Sequence, residues 1–400
     1  MDRAIRRMWM SAACVFILLM GTLSYIQFFD AQMLMEHKWN TRALYDNYGS
    51  QRGSIVVNGT EIASSVKSND EYNYQRVYSE PEKYAGITGY FSSVYGSTGI
   101  ESALDKELSG TSDSQFYDRV AQLFSGNSTR GASVELTVDD KLQTLAYQLL
   151  QGRKGSIVAM NPKTGEILAM ASSPSYDPNK LAAHNEQSVI ADYTKLTQDQ
   201  QSPLFNRAIA GNTYSPGSTF KIIDAVAALE SGKYDEKSVI DNPAQLPLPG
   251  TNVTLPNFVN GQCATRTQAT IEWALAQSCN TPFANIALDL GQEKISQTAS
   301  KFGYGQDLSI PLKVTKSDFP SDMTKSQLAQ ASVGQYDVKT TPLQVAMTSA
   351  AIANGGVQMK PNLVRSVKTS NLSTLSEFSP EKLRTSTSQK VADQVKQWMV

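Results

Sequence analysis

Ser218-Thr219-Phe220-Lys221 sets a hydroxyl and an amine three residues apart. On a helix, that spacing puts both side chains on one face, so the Ser218 hydroxyl can meet the Lys221 amine. A serine is a weak nucleophile until a base takes its proton. Lysine can be that base when burial lowers its pKa, and Phe220, Ile222, Ile223, Ala225, Val226, Ala227 and Leu229 supply such burial. Pro216-Gly217 suggests a sharp turn that leaves Ser218 at a helix N-terminus, where backbone N–H groups favour a developing oxyanion. The spacing alone is common. It recurs at Ser64–Lys67 and Ser379–Lys382, neither followed by an apolar helix, and serine is also a preferred N-cap. Further on, Ser278-Cys279-Asn280 holds a second hydroxyl and a carboxamide in a loop between two helical patterns. One can relay a proton and the other bind a peptide group. Such a loop can equally serve its own backbone, and Ser125-Gly126-Asn127 repeats the spacing.

Composition narrows the chemistry. Two histidines (His37 and His184, neither with an evident partner) and three cysteines argue against a zinc or iron–sulfur centre, and no cofactor is expected. They also make histidine an improbable base for a reactive serine. Acidic and basic residues number 37 and 36, a net charge of −1, which argues against a nucleic-acid partner. At about 100–200 residues per domain, the 400-residue chain has room for two or three.

Several elements must position these groups. Met8 to Phe29 carries no charge, is long enough at about 33 Å to span a bilayer, and follows Arg3, Arg6 and Arg7. It reads as an uncleaved anchor with its N-terminus inside, rather than a signal peptide, because no small-residue cleavage site ends it. Residues 30–130 are polar and read as a thin, extended module without a dense core. Within them Arg52 to Val57 suggests a turn feeding a strand, and Phe116 to Phe124 a helix. Ala132 to Val138 alternates like a strand, and Asp139 can cap a helix with the stripe Leu142, Leu145, Ala146, Leu149 and Leu150. Ser156–Met160 and Glu166–Met170 flank a Pro- and Gly-bearing turn, a hairpin signature. Residues 174–215 read mostly as loop. Helical patterns follow at 220–229, at 283–290 before Gly291, and from Thr341-Pro342 to Asn354-Gly355-Gly356. The fold class expected is α+β.

Ser-x-x-Lys followed by Ser-x-Asn resembles the serine acyltransferases that include penicillin-binding proteins and β-lactamases. The wider pattern resembles a class B penicillin-binding protein, with lesser detail suggesting the actinobacterial rod-elongation branch. It is carried by Arg52-Gly53-Ser54-Ile55, Gly99-Ile100-Glu101, Leu108-Ser109-Gly110, Asn161 to Met170, Tyr214 to Lys221, Ser278 to Thr281, and Thr341 to Gly356. The resemblance implies residues 1–7 as a cytoplasmic N-terminus, 8–29 as the anchor, 30–152 as a pedestal or dimerisation-like module and 153–400 as a transpeptidase domain. It implies Ser218 as acylated nucleophile, Lys221 as general base, Ser278 as proton relay and Asn280 as the group holding the substrate amide. The implied donor is a peptidoglycan stem peptide ending in D-Ala-D-Ala, with β-lactams as mimics, and the implied partner a SEDS-type membrane glycosyltransferase. A D,D-carboxypeptidase or β-lactam-hydrolysing relative, and a non-catalytic scaffold that activates a cell-wall glycosyltransferase, are the competing readings.

One family motif is out of place. A Lys-Thr/Ser-Gly strand should follow the other two motifs, but Lys163-Thr164-Gly165 precedes them and Lys368-Thr369-Ser370 lacks the glycine. The expectation is a C-terminally incomplete transpeptidase domain with weak turnover. Cys263 and Cys279 would lie outside the membrane, either paired, closing a loop worth about 3 kcal/mol, or as two separate buried thiols. Cys14 lies in the anchor. Asn-x-Ser/Thr triplets at Asn58, Asn127, Asn252 and Asn371 would matter only in a eukaryotic secretory route.

Overall fold

The computed structural model describes residues 2–30, 48–115, 130–211, 213–258 and 261–399. His37, Asn127 and the helix expected at 116–124 lie outside them. Asp2–Phe28 is one helix, and its Ile5–Phe28 stretch is long and apolar enough to cross a membrane, with none of it buried. It fits a single-pass anchor with the rest of the chain beyond it. The helix starts upstream of Met8 because the arginines continue it, which places their charges one turn from the apolar stretch.

Ile55–Val57, Thr60–Lys67 and Tyr74–Tyr78 form an antiparallel meander. Its first turn is Asn58-Gly59, both residues at positive φ, as a tight hairpin of matching twist requires. Ser133–Leu136 pairs parallel to the first strand, and Val364–Lys368 and Thr374–Glu377 complete a six-stranded sheet. Residues 364–377 thus return to the sheet begun by residues 55–78. The expectation of a thin module without a dense core fails here. Ile55, Val57, Ile62, Val134 and Leu136 are buried in one cluster with Ile167, Met170, Leu343 and Leu363. The polar letters misled because several of them are buried in pairs. The Glu101 carboxylate accepts from Arg52 Nε at 2.6 Å and Arg76 Nε at 2.7 Å, all three side chains lying inside.

One further expectation is corrected. In Asp140–Leu149, capped by Asp139, the buried positions are Gln143 and Ala146, while Leu142, Leu145 and Leu149 face solvent. Gln143 is drawn inward because its amide donates to Lys83 O and accepts from Met170 N, docking the helix on the hairpin edge. The stretch 174–215 is mostly loop, as expected, but it also holds two helices, Asn179–Ala182 and Glu186–Gln198, the latter capped by Asn185. Only Val189 of that longer helix is buried, too little to leave a periodic signal.

The hairpin Gly155–Met160 with Ile167–Ser173 forms as expected. Its turn carries Lys163-Thr164-Gly165, where Gly165 has φ 82° and a Cβ would stand 2.3 Å from Lys360 O. Lys368 ends a strand of the pedestal sheet, beside Glu135 at 3.7 Å. Both trios are therefore tied up in sheet and turn geometry and make their hydrogen bonds there. At the other pole, Lys221–Ser231 forms a central helix, packed against helices Ile271–Ala276, Thr281–Leu290, Gln292–Lys301 and Gln389–Trp398. Phe220, Ile223, Ala225, Val226 and Ala227 lie in that apolar cluster. The architecture is α+β.

Candidate active site

A single 3-10 turn, Gly217–Phe220, leads straight into the central helix. The turn exists because Gly217 takes φ 57° and its N–H donates to Gly334 O at 2.9 Å. Gly334 must itself be glycine, since a Cβ there would lie 2.0 Å from Gly217 O. The result is an exposed Ser218 hydroxyl above a lysine that is 0% exposed.

Lys221 Nζ lies 3.2 Å from Ser218 Oγ, 3.2 Å from Ser278 Oγ, 2.6 Å from Ser278 O and 2.7 Å from Asn280 Oδ1. The last two oxygens can only accept. A neutral amine has two N–H groups for them and one lone pair left, which then faces the hydroxyls. Burial favours that neutral form and lowers the Lys221 pKa to about 8, against the opposing field of Asp224. The four side chains that sequence reasoning singled out are brought together in one cluster.

Ser278 has φ 57°, a left-handed conformation that costs a non-glycine residue about 1–2 kcal/mol. Its place explains the strain. The Ile271–Ala276 helix ends in a Schellman turn, with Cys279 N donating to Ala274 O and Ser278 N to Leu275 O. Glycine usually fills the Ser278 position. Here a hydroxyl stands where geometry prefers none, the kind of strain that makes a residue a candidate for function. Cys279, between Ser278 and Asn280, is joined by a disulfide to Cys263, with Cα atoms 5.4 Å apart.

Sequence reasoning missed the residues that hold Asn280. Asn257 Oδ1 accepts from Asn280 N at 2.7 Å and from Thr281 N at 3.1 Å. Its amide nitrogen donates to Asn242 Oδ1 and to Thr281 Oγ1, and all three partners of this amide cluster are buried. Asn280 Nδ2 donates to Pro256 O at 2.9 Å, which turns its oxygen toward Lys221 and leaves one N–H for a ligand. No motif spacing flags Asn242 or Asn257. Their only sequence signal is an asparagine on either side of a short proline-bounded hairpin.

The chain matches the family described as penicillin binding protein transpeptidase domain over residues 155–400, and the penicillin binding protein A dimerisation domain over 52–134. It is 39% identical to the peptidoglycan D,D-transpeptidase PbpA of Mycolicibacterium smegmatis, across 100% of this chain and 82% of that protein. PbpA of Mycobacterium tuberculosis is 36% identical over the same shares. The solved imipenem acyl-enzyme complex of penicillin-binding protein A from M. tuberculosis superposes with a TM-score of 0.86, covering 89% of this chain and 82% of that one at 36% identity. A D,D-transpeptidase domain from Eggerthella lenta gives 0.74 at 33% identity, covering 87% and 80%. The chain belongs to the class B penicillin-binding proteins, with a transpeptidase domain and a dimerisation domain, and is similar to the PbpA of mycobacteria.

Proposed function

We propose that this protein is a serine-type peptidoglycan D,D-transpeptidase and a target of β-lactams. The observation that carries the reading is one buried amine at equal distance, 3.2 Å, from two exposed hydroxyls. Lys221 takes the Ser218 proton as Oγ attacks the penultimate carbonyl of a stem peptide ending in D-Ala-D-Ala. Backbone N–H groups at the start of the central helix favour the oxyanion. The proton passes from Lys221 through Ser278 to the leaving D-Ala nitrogen, and an ester on Ser218 remains. An amine from a second stem attacks that ester, giving its proton back through the same hydroxyl and restoring Ser218. The free N–H of Asn280 would hold the donor's amide carbonyl. The acyl-enzyme complexes of the mycobacterial relative with imipenem and penicillin G support an ester on serine here.

The same reading takes residues 1–7 as cytoplasmic, 8–29 as anchor, 30–152 as pedestal and 153–400 as the catalytic domain. Arg3, Arg6 and Arg7 ahead of the apolar helix support an N-terminus inside and a catalytic domain outside. A SEDS-type membrane glycosyltransferase, reached through anchor and pedestal, is the proposed partner. Incubating the full-length protein with pentapeptide muropeptides tests the activity. Cross-linked dimers that vanish in Ser218→Ala are expected. Dimers undiminished in that variant, or hydrolysed tetrapeptide alone, would contradict it.

A further inference from the structure

The central helix buries a second ionisable group that the reaction above does not use. Asp224 sits one turn beyond Lys221, on the same side of the helix, and is 0% exposed. Among the described residues, neither of its carboxyl oxygens has a hydrogen-bond partner, whereas the hydrogen-bond partners of Lys221 Nζ are neutral groups: Ser218, Ser278 and Asn280. A buried carboxylate without donors is unstable unless a cation lies near, and a buried ammonium without an anion is equally unstable. The two groups lie buried on the same helix, where the charge of each acts on the other.

We propose that Asp224 is a positioning residue for the base: it titrates with Lys221 as one coupled pair and holds the lysine's proton to higher pH than the lysine alone would. The inference rests on Lys221 as the base of the proposed reaction. When the pair has lost one proton, two arrangements compete. In one, a neutral lysine faces a protonated Asp224 and can take the Ser218 proton. In the other, an ammonium faces a carboxylate and cannot. Asp224 therefore tunes how much active base exists near neutrality. Burial raises the Asp224 carboxyl well above its ordinary range, with the Lys221 charge opposing, and lowers the Lys221 amine, which moves the two titrations toward each other. Other charges on the packed helices are remote from this exchange. Glu272, Asp289, Glu293, Lys390, Asp393 and Lys396 are exposed, and Lys294 and Lys301 bond to Glu230.

The test reads the amine itself. Carbon-13 lysine NMR of the full-length protein, with Lys221→Met assigning the signal, gives the Lys221 titration midpoint in wild type, Asp224→Asn and Asp224→Leu. The expected result is a midpoint lower by about one pH unit in Asp224→Asn, a tenfold gain in neutral amine below the midpoint. Asp224→Leu, if it folds, should shift in the same direction. A superimposable or raised midpoint in Asp224→Asn would overturn the proposal. Because no turnover is measured, the outcome stands whether or not Ser218 proves to be the acylated residue.

Discussion

The Lys221 amine donates to the backbone carbonyl of Ser278 at 2.6 Å, so the proposed base is tethered to the same residue whose hydroxyl it also reaches. The tether works only if Ser278 keeps its left-handed turn. Replacing Ser278 by glycine should therefore separate fold from chemistry. Ser278→Gly is expected to keep or raise Tm, by relief of about 1 kcal/mol of strain. It should also slow acylation by roughly 10²-fold through loss of the relay hydroxyl. Thermal melts and acylation rates on the same samples check both halves.

The Cys263–Cys279 bridge closes a loop of 16 positions that holds the Ile271–Ala276 helix and ends one residue before Asn280. Cys263→Ala with Cys279→Ala should cost about 3 kcal/mol in the chain-entropy account. Urea unfolding of the pair of proteins measures it. A loss below about 0.5 kcal/mol would mean the unfolded loop is already restrained.

Asn257 satisfies two backbone N–H groups inside the protein. Asn257→Ala leaves both without an acceptor, at about 1–3 kcal/mol each. Stability should fall by that sum. Acylation should fall as well, because the Asn280 backbone N–H loses the acceptor that anchors the residue beside Lys221.

Burial raises the Glu101 carboxyl, but the Arg76 and Arg52 guanidiniums outweigh it and hold the group below the usual carboxylate range. A depressed folded-state pKa contributes stability above the ordinary value of about 4.3, lost as pH falls through the lower folded value. Acid unfolding of the wild type should show that loss. Glu101→Gln should flatten it and cost about 3–5 kcal/mol at neutral pH, since Arg76 then lies buried without its anion and Arg52 keeps only Asp105.

What could be read from the residues divides along a physical line. The Ser218 and Lys221 pairing was legible because a helix fixes i and i+3 on one face and an apolar run announces burial. The hairpin at 155–173 and the capped helix from Pro342 were legible for the same reason: their periods are local. The pedestal was not, because Val364–Lys368 joins Ser133–Leu136 across the whole chain and Arg52, Arg76 and Glu101 bury charge in pairs. Polar letters carry no sign of whether a partner waits in the fold. Asn242 and Asn257 stayed hidden for that reason, and the leucines of Asp140–Leu149 misled because Gln143 took the inner face.

The central claim is that a neutral Lys221 activates Ser218. Its most direct test is the rate of Ser218 acylation by a labelled penicillin across pH, in wild type and in Lys221→Arg. The account predicts a rate that rises with pH through a midpoint near 8, where the buried amine loses its proton. It further predicts a drop of roughly 10²–10⁴-fold in Lys221→Arg, whose side chain stays charged. A rate indifferent to pH through that range, or an arginine variant acylated as fast as wild type, would contradict it.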